Sequence, residues 1–279
     1  MGGWWFKGVV LVLALAVVTW VAWNFSTVVD RVFVFYPDRR VVFTPAQAGL
    51  DYQDLWIETP DGERLHGWLV KAASHAPLFL FFHGNAGNIG DRVENVALLV
   101  RAGISVLIFD YRGYGRSSGK PTEEGVYLDG RTVYDYAVGS LAYRPRDVVL
   151  FGRSLGAAVA AHLASRVEVA GVILESAFTN LKDLAWVHYP FIPGKFLVKR
   201  KFNVVEMVKK VKAPLLVIHG DRDSLVPLRM GERVYKQAPG PKEFYVIPGA
   251  GHNDTELVGG ETYIRRLRSF VYRVTGREG

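Results

Sequence analysis

From about residue 52 onward the chain is built of short apolar runs, and their periods predict the elements. Tyr52–Glu58 and Arg64–Ala72 alternate apolar with polar positions on either side of Thr59-Pro60-Asp61-Gly62-Glu63, a hairpin pattern. Six further runs follow: Pro77–Phe82, Ile104–Phe109, Asp147–Phe151, Gly171–Leu174, Pro214–His219 and Glu243–Ile247. These are continuous and rich in β-branched and aromatic residues, as strands covered on both faces are. Helical stretches separate most of them: Arg92–Ala102, Glu123–Ala142, Leu155–Arg166, Leu228–Ala238 and Glu261–Val274. In the last, Tyr263, Ile264, Leu267, Phe270, Val271 and Val274 share one helical face. Strands alternating with helices predict an α/β fold, a mostly parallel eight-stranded sheet with helices on both faces. No repeat or low-complexity segment interrupts the series, and no second domain is expected.

The N-terminal pattern is different. Gly8 to Trp23 is apolar apart from Thr19, and from Trp4 onward the run has about the 20 residues needed to cross a hydrocarbon core. Trp4 and Trp5 at one end and Trp20 and Trp23 near the other suit the two interfacial belts. No small-x-small cleavage site follows, since Trp-Asn-Phe stands there, so a retained anchor over residues 1–29 is expected rather than a signal peptide. Lys7 and the amino terminus flank one side, and Arg31, Arg39 and Arg40 the other. That balance leans towards a cytoplasmic catalytic domain. Residues 30–51 then read as a connector and 52–279 as the catalytic domain.

The net charge of +7 is spread along the chain without a nucleic-acid motif, so an anionic lipid surface is the expected partner and nucleic acid is not. The absence of cysteine removes disulfides, thiolate metal sites and thiol nucleophiles.

Candidate chemistry lies just after the strands, where sites form in sheets of this kind. Val148-Val149-Leu150-Phe151-Gly152-Arg153-Ser154-Leu155-Gly156-Ala157 runs from strand to helix through Gly-x-Ser-x-Gly. The abrupt bend lifts the Ser154 hydroxyl clear of the sheet edge, so Ser154 is a candidate nucleophile. The competing reading is a tight turn with a capping serine. After the third run, His83-Gly84-Asn85-Ala86-Gly87-Asn88 faces that bend, and the N–H groups of Asn85 and Leu155 are positioned to meet one developing oxyanion. Asp110, after the fourth run, precedes the elbow and reads as structural, pairing Arg112 or ordering its loop. After the seventh run comes Gly220-Asp221-Arg222-Asp223, and after the eighth Gly249-Ala250-Gly251-His252. The order Ser, Asp, His suits a nucleophile elbow, with His252 as general base. Asp223, Asp221 and Glu175 are all candidates for the acid. His83 and His219 end strands and are expected to make structural hydrogen bonds.

With these segments in view, the chain from about Gln53 to Val274 resembles the α/β-hydrolase superfamily, and more narrowly its membrane-anchored serine hydrolases. The resemblance rests on HGNAGN (83–88), FDYRGYGRSSGKPTEEG (109–125), GRSLGAAVA (152–160), ESAFTNL (175–181), HGDRDSLVP (219–227) and PGAGHND (248–254). It implies Ser154 as nucleophile, His252 as base, Asp223 as the acid rather than Asp221, and Asn85 and Leu155 as oxyanion donors. It also implies cofactor-independent cleavage of acyl esters or thioesters, as in acyl-protein thioesterases, monoacylglycerol lipases and lysophospholipases. Depalmitoylases of this group use an N-terminal cysteine cluster, which this chain lacks.

Between the sixth and seventh runs, residues 180–212 have the position of a cap. Trp186, Tyr189, Phe191 and Phe196 are candidate walls of an acyl pocket, and Lys195, Lys199, Arg200 and Lys201 candidate contacts to lipid head groups. The plainer alternative is a helix packed on the core with a solvated basic face. A lipid or lipidated acyl substrate is expected. A peptidase of related fold and a catalytically silent membrane scaffold are the rival functions.

Overall fold

The structure, a computed structural model, describes residues 7–14, 17, 34–189 and 202–277. Eight strands form the main sheet: β1 Gln53–Glu58, β2 Arg64–Val70, β3 Leu78–Phe82, β4 Ser105–Phe109, β5 Val148–Arg153, β6 Gly171–Glu175, β7 Leu215–Gly220 and β8 Lys242–Ile247. Their order across the sheet is β8-β7-β6-β5-β3-β4-β2-β1. β2 runs antiparallel to both β1 and β4, and the remaining pairs are parallel. The helices are α1 Val93–Arg101, α2 Glu123–Gly139, α3 Leu155–Ala164, α4 Leu181–His188, α5 Val204–Val208, α6 Leu228–Gln237 and α7 Thr255–Thr275.

Alternation along the strands sorts the core into two layers. Leu78, Leu80 and Phe82 of β3 enter one apolar cluster with α2, α3 and α5, while Phe79 and Phe81 enter the other with α1 and α7. Both faces of the central strands are therefore covered, which is why they read as unbroken apolar runs. α3 is made almost wholly of alanine, glycine and other apolar residues, and nearly all of it is buried. Such small side chains let the helix lie close against β5 and β6.

β5 continues two residues past the predicted Phe151, through Gly152 and Arg153, and so carries the chain to the edge of Ser154. The last helix begins at Thr255 rather than Glu261, because the turn after His252 enters a helix that breaks only at Gly260 (φ 50°). A short parallel bridge joins Tyr36–Pro37 to Ala86–Gly87 and lays the connector on the loop after β3. The expected membrane-spanning segment over residues 1–29 lies largely outside the described residues. Residues 7–14 are helical, and no helix among the described residues is long and apolar enough to cross a membrane.

Candidate active site

Strand register decides which loops meet. Phe82 pairs with Gly152, so His83-Gly84-Asn85 leaves β3 level with the elbow. Arg153 pairs with Glu175, and Ile247 pairs with Gly220, so the loops carrying Asp223 and His252 leave the sheet side by side.

Ser154 has φ 55° and ψ −115°, a region that side-chain-bearing residues rarely occupy. Its conformation is held from both sides: its N–H donates to the Glu175 carbonyl at 2.9 Å, and its own carbonyl accepts from Ala157 N–H at 3.0 Å. A Cβ added to Gly156 would overlap the Phe82 carbonyl, and one added to Gly152 would overlap Gly156. Only glycine at these two positions lets strand, turn and helix approach so closely.

His252 Nδ1 lies 2.7 Å from Asp223 Oδ2, and His252 Nε2 lies 3.0 Å from Ser154 Oγ. A carboxylate only accepts, so Nδ1–H donates to Asp223 and Nε2 is left to accept from the Ser154 hydroxyl. Asp223 Oδ1 accepts from Leu225 N–H at 3.0 Å and from Val226 N–H at 2.7 Å. Burial by itself would raise the Asp223 carboxyl, but the His252 hydrogen bond and the backbone donor outweigh it and hold the group below its ordinary value.

The other two acid candidates are engaged elsewhere. Asp221 Oδ1 accepts from Gly249 N–H at 2.7 Å and clasps the two loops together. Glu175 is fully buried and is bound by Thr255 Oγ1 at 2.8 Å and Tyr263 OH at 2.6 Å. The two strand-end histidines make the backbone contacts expected of them. His219 Nε2 lies 2.7 Å from the Val226 carbonyl, and His83 Nδ1 lies 2.7 Å from the Gly84 carbonyl. Burial, with the charge of Arg92 adding to it, pushes His83 down to about 3, so its ring is neutral at ordinary pH.

Asp110 orders loops on two strands: Ser117 Oγ of its own loop donates to its backbone carbonyl at 2.7 Å, and its carboxylate accepts from Ile89 N–H, in the segment after β3, at 3.0 Å. It does not pair Arg112, which turns instead to Asp129 at 2.8 Å and Asp61 at 2.7 Å. Asp61 takes the guanidinium through both carboxylate oxygens and Asp129 Oδ1 accepts from Nε and Nη2 together, which satisfies it better than a neighbour two residues away.

Leu155 is the first residue of α3, so its N–H has no acceptor within the helix. On the opposite side, a Cβ added to Gly84 would sit 3.7 Å from that of Ser154, which places this loop against the serine. The peptide carrying the Asn85 N–H is held through its Gly84 carbonyl by His83 Nδ1 at 2.7 Å, and the next peptide through the Asn85 carbonyl, which accepts from Tyr36 N–H at 2.9 Å and Tyr114 OH at 2.8 Å. Trp186 and Tyr189 lie at the end of α4, about two-fifths exposed. His188 beside them bonds the Leu225 carbonyl at 2.7 Å and so brings this end of α4 to the Asp223 loop. Phe191 and Phe196 lie outside the described residues. No group of three His, Asp or Glu side chains is arranged to hold a metal ion among the described residues.

Sequence reasoning passed over Arg153, Thr255 and Glu256. Nothing in the local pattern marks them, because their partners are remote in the chain.

Residues 73–205 match the family described as serine aminopeptidase, S33. The chain is 33% identical over 249 residues to alpha/beta hydrolase domain-containing protein WAV2 of Arabidopsis thaliana, covering 82% of this chain and 81% of that one. It is 38% identical over 268 residues to a Mycobacterium tuberculosis protein described as uncharacterized, covering 92% and 95%. Among solved structures, the Pyrococcus furiosus esterase Pf2001 superimposes with a TM-score of 0.72 at 26% identity, over 86% of this chain and 100% of that one. The chain belongs to the α/β-hydrolase superfamily. Within it, the protein is a serine hydrolase of the esterase type.

Proposed function

We propose that this chain cleaves carboxylic esters or thioesters of acyl chains through Ser154, His252 and Asp223 by way of an acyl-enzyme. The observation that carries the reading is the single imidazole of His252 spanning Ser154 Oγ at 3.0 Å and Asp223 Oδ2 at 2.7 Å. In the first half-reaction Ser154 Oγ bonds to the acyl carbon while its proton passes to His252 Nε2. Asp223 keeps the imidazole in the useful tautomer and stabilises the imidazolium. The N–H groups of Asn85 and Leu155 receive the oxyanion, each such donor being worth about 3 kcal/mol in a site of this kind. The bond to the leaving group breaks, and His252 returns the proton to the departing alkoxide or thiolate. Water then attacks the acyl-serine, its proton going to Nε2 and back to Ser154 Oγ as the free acid leaves.

An apolar, membrane-delivered acyl substrate is the reading we favour. Its supports are the apolar run of residues 8–23 and the aromatic residues Trp186, Tyr189, Phe191 and Phe196 of the segment after β6. With the N-terminal run as an anchor, the protein is a single-pass membrane protein whose catalytic part faces the cytoplasm.

Turnover of p-nitrophenyl esters from acetate to dodecanoate tests both parts. Wild-type hydrolysis that rises with chain length and is abolished in Ser154→Ala is the expected result. A preference for acetate would remove the acyl-pocket reading, and activity persisting in Ser154→Ala would remove the triad. The serine aminopeptidase description of the matched family makes a peptide bond the alternative target. Aminoacyl p-nitroanilides cleaved faster than any ester would establish it.

A further inference from the structure

Arg153 stands immediately before the nucleophile, yet its side chain turns away from the reaction and is almost completely enclosed. Each nitrogen of its guanidinium engages a different part of the chain. Nε lies 3.3 Å from Glu175 Oε1 at the end of β6. Nη1 lies 3.4 Å from Glu256 Oε2 in the first turn of α7. Nη2 donates to the backbone carbonyl of His252 itself at 3.0 Å. Glu175 is in turn held by Thr255 Oγ1 and Tyr263 OH, and its backbone carbonyl receives the Ser154 N–H at 2.9 Å. The cavity beside these groups, of roughly 10 Å³, has room for about one water molecule and none for a substrate.

Two carboxylates and a carbonyl converge on one nearly buried cation, Glu175 enclosed with it and Glu256 at the solvent side. Burial opposes the charge of Arg153, and Glu175 and Glu256 more than offset it. Such an arrangement is rigid, because moving any one partner exposes an uncompensated buried charge.

We infer that Arg153 is a positioning residue, which fixes the His252 main chain relative to Ser154 by clamping the His252 carbonyl, Glu175 and Glu256 around one guanidinium. Asp223 holds the outer nitrogen of the imidazole ring, and Arg153 holds the backbone from which the ring projects. The ring is therefore anchored at two points while Nε2 faces the serine. This inference rests on the triad reading of the preceding section.

The test is steady-state hydrolysis of p-nitrophenyl butyrate by the full chain, together with the rate of labelling by a fluorophosphonate and the Tm. Arg153→Met keeps the bulk of the stem and removes the clamp. Its expected signature is a loss of kcat of about 30- to 100-fold, because small misplacements of a catalytic group are this costly, with KM within about twofold. Fluorophosphonate labelling should slow by a similar factor. Arg153→Lys keeps the charge but cannot reach three partners, and should recover part of the loss.

Arg153→Met leaves the buried Glu175 and the partly exposed Glu256 without their cation and will lower the Tm. The triple variant Arg153→Met, Glu175→Gln, Glu256→Gln removes that charge imbalance. We expect it to regain Tm while kcat stays low. A triple variant, or an Arg153→Met, with kcat within about threefold of wild type would overturn the inference, and so would a loss borne by KM alone. Ser154→Ala is the control for the underlying reading. If it retains turnover, the triad fails. If it is inactive while the Arg153 variants turn over normally, only the clamp fails.

Discussion

Asp223 meets His252 at 2.7 Å, although Asp221 stands only two positions earlier on the same loop and is bound to Gly249 N–H instead. The two carboxylates thus have separable tasks. Asp223→Asn replaces the acceptor of His252 Nδ1–H with a group that stabilises the wrong tautomer. It should lower kcat by about 10⁴-fold. Asp221→Asn weakens a loop clasp and should keep kcat within about tenfold of wild type while lowering Tm by a few degrees. Ester turnover and thermal melts of the two variants, measured side by side, check this.

The strain at Ser154 predicts a stability gain on losing function. Ser154→Gly relieves a backbone at φ 55° and ψ −115° that Ser154→Ala retains. Both variants should be inactive, and the glycine variant should unfold about 1 kcal/mol higher than the alanine variant by chemical denaturation. Equal midpoints would show that the elbow is not strained.

Gly156→Ala is expected to be among the most damaging small changes in the protein. Its Cβ has no space against the Phe82 carbonyl, and backbone on both sides is fixed by the sheet and by α3. A loss of about 4 kcal/mol or more, or failure to accumulate folded protein, is the expected outcome. Gly139→Ala, in a position with open space around it, serves as the matched control and should be neutral or slightly stabilising, as alanine in a helix usually is.

His162 gives a pH prediction. Its ring stacks on Tyr127 with centroids 3.7 Å apart, and burial, with Arg166 adding to it, lowers it to about 4 from an ordinary value of 6.5. The unfolded chain therefore binds a proton more readily than the folded one between those values. Its contribution to stability is complete above about pH 6.5 and is lost as the pH falls towards 4. His162→Phe keeps a ring on Tyr127 and cannot titrate. Denaturant midpoints taken from pH 7 to pH 4 should fall less steeply for His162→Phe than for wild type.

The parts of this fold that are local in sequence were the legible ones. Phe79 to Phe82 and Val148 to Phe151 announce buried strands because both faces are covered, and the residues following each strand are where a parallel sheet exposes its chemistry. Position along the chain left Asp221, Asp223 and Glu175 open as the acid, since each stands at or just after a strand end; the resemblance pointed to Asp223, and the geometry puts Asp223 against His252. What stayed hidden depends on remote partners. Arg112 looks like a mate for Asp110, but its partners Asp61 and Asp129 come from the hairpin and from α2. Gly259-Gly260 suggests that the last helix begins after them. Instead a turn of helix stands before the break, and it carries Glu256 to Arg153, about a hundred residues earlier, and Thr255 to Glu175.

The bridge between Tyr36–Pro37 and Ala86–Gly87 has a mechanical consequence. Tyr36 N–H donates to the Asn85 carbonyl, Asn85 Nδ2 to Val34, and Asp38 N–H to Gly87. Asn88 Nδ2 completes the seam by donating to the carbonyls of Asp38 and Arg40. Tension applied at the N-terminal end therefore enters this seam before it reaches any strand of the main sheet. The first group of the loop after β3 to feel the load is Asn85, one residue beyond Gly84, which lies against Ser154.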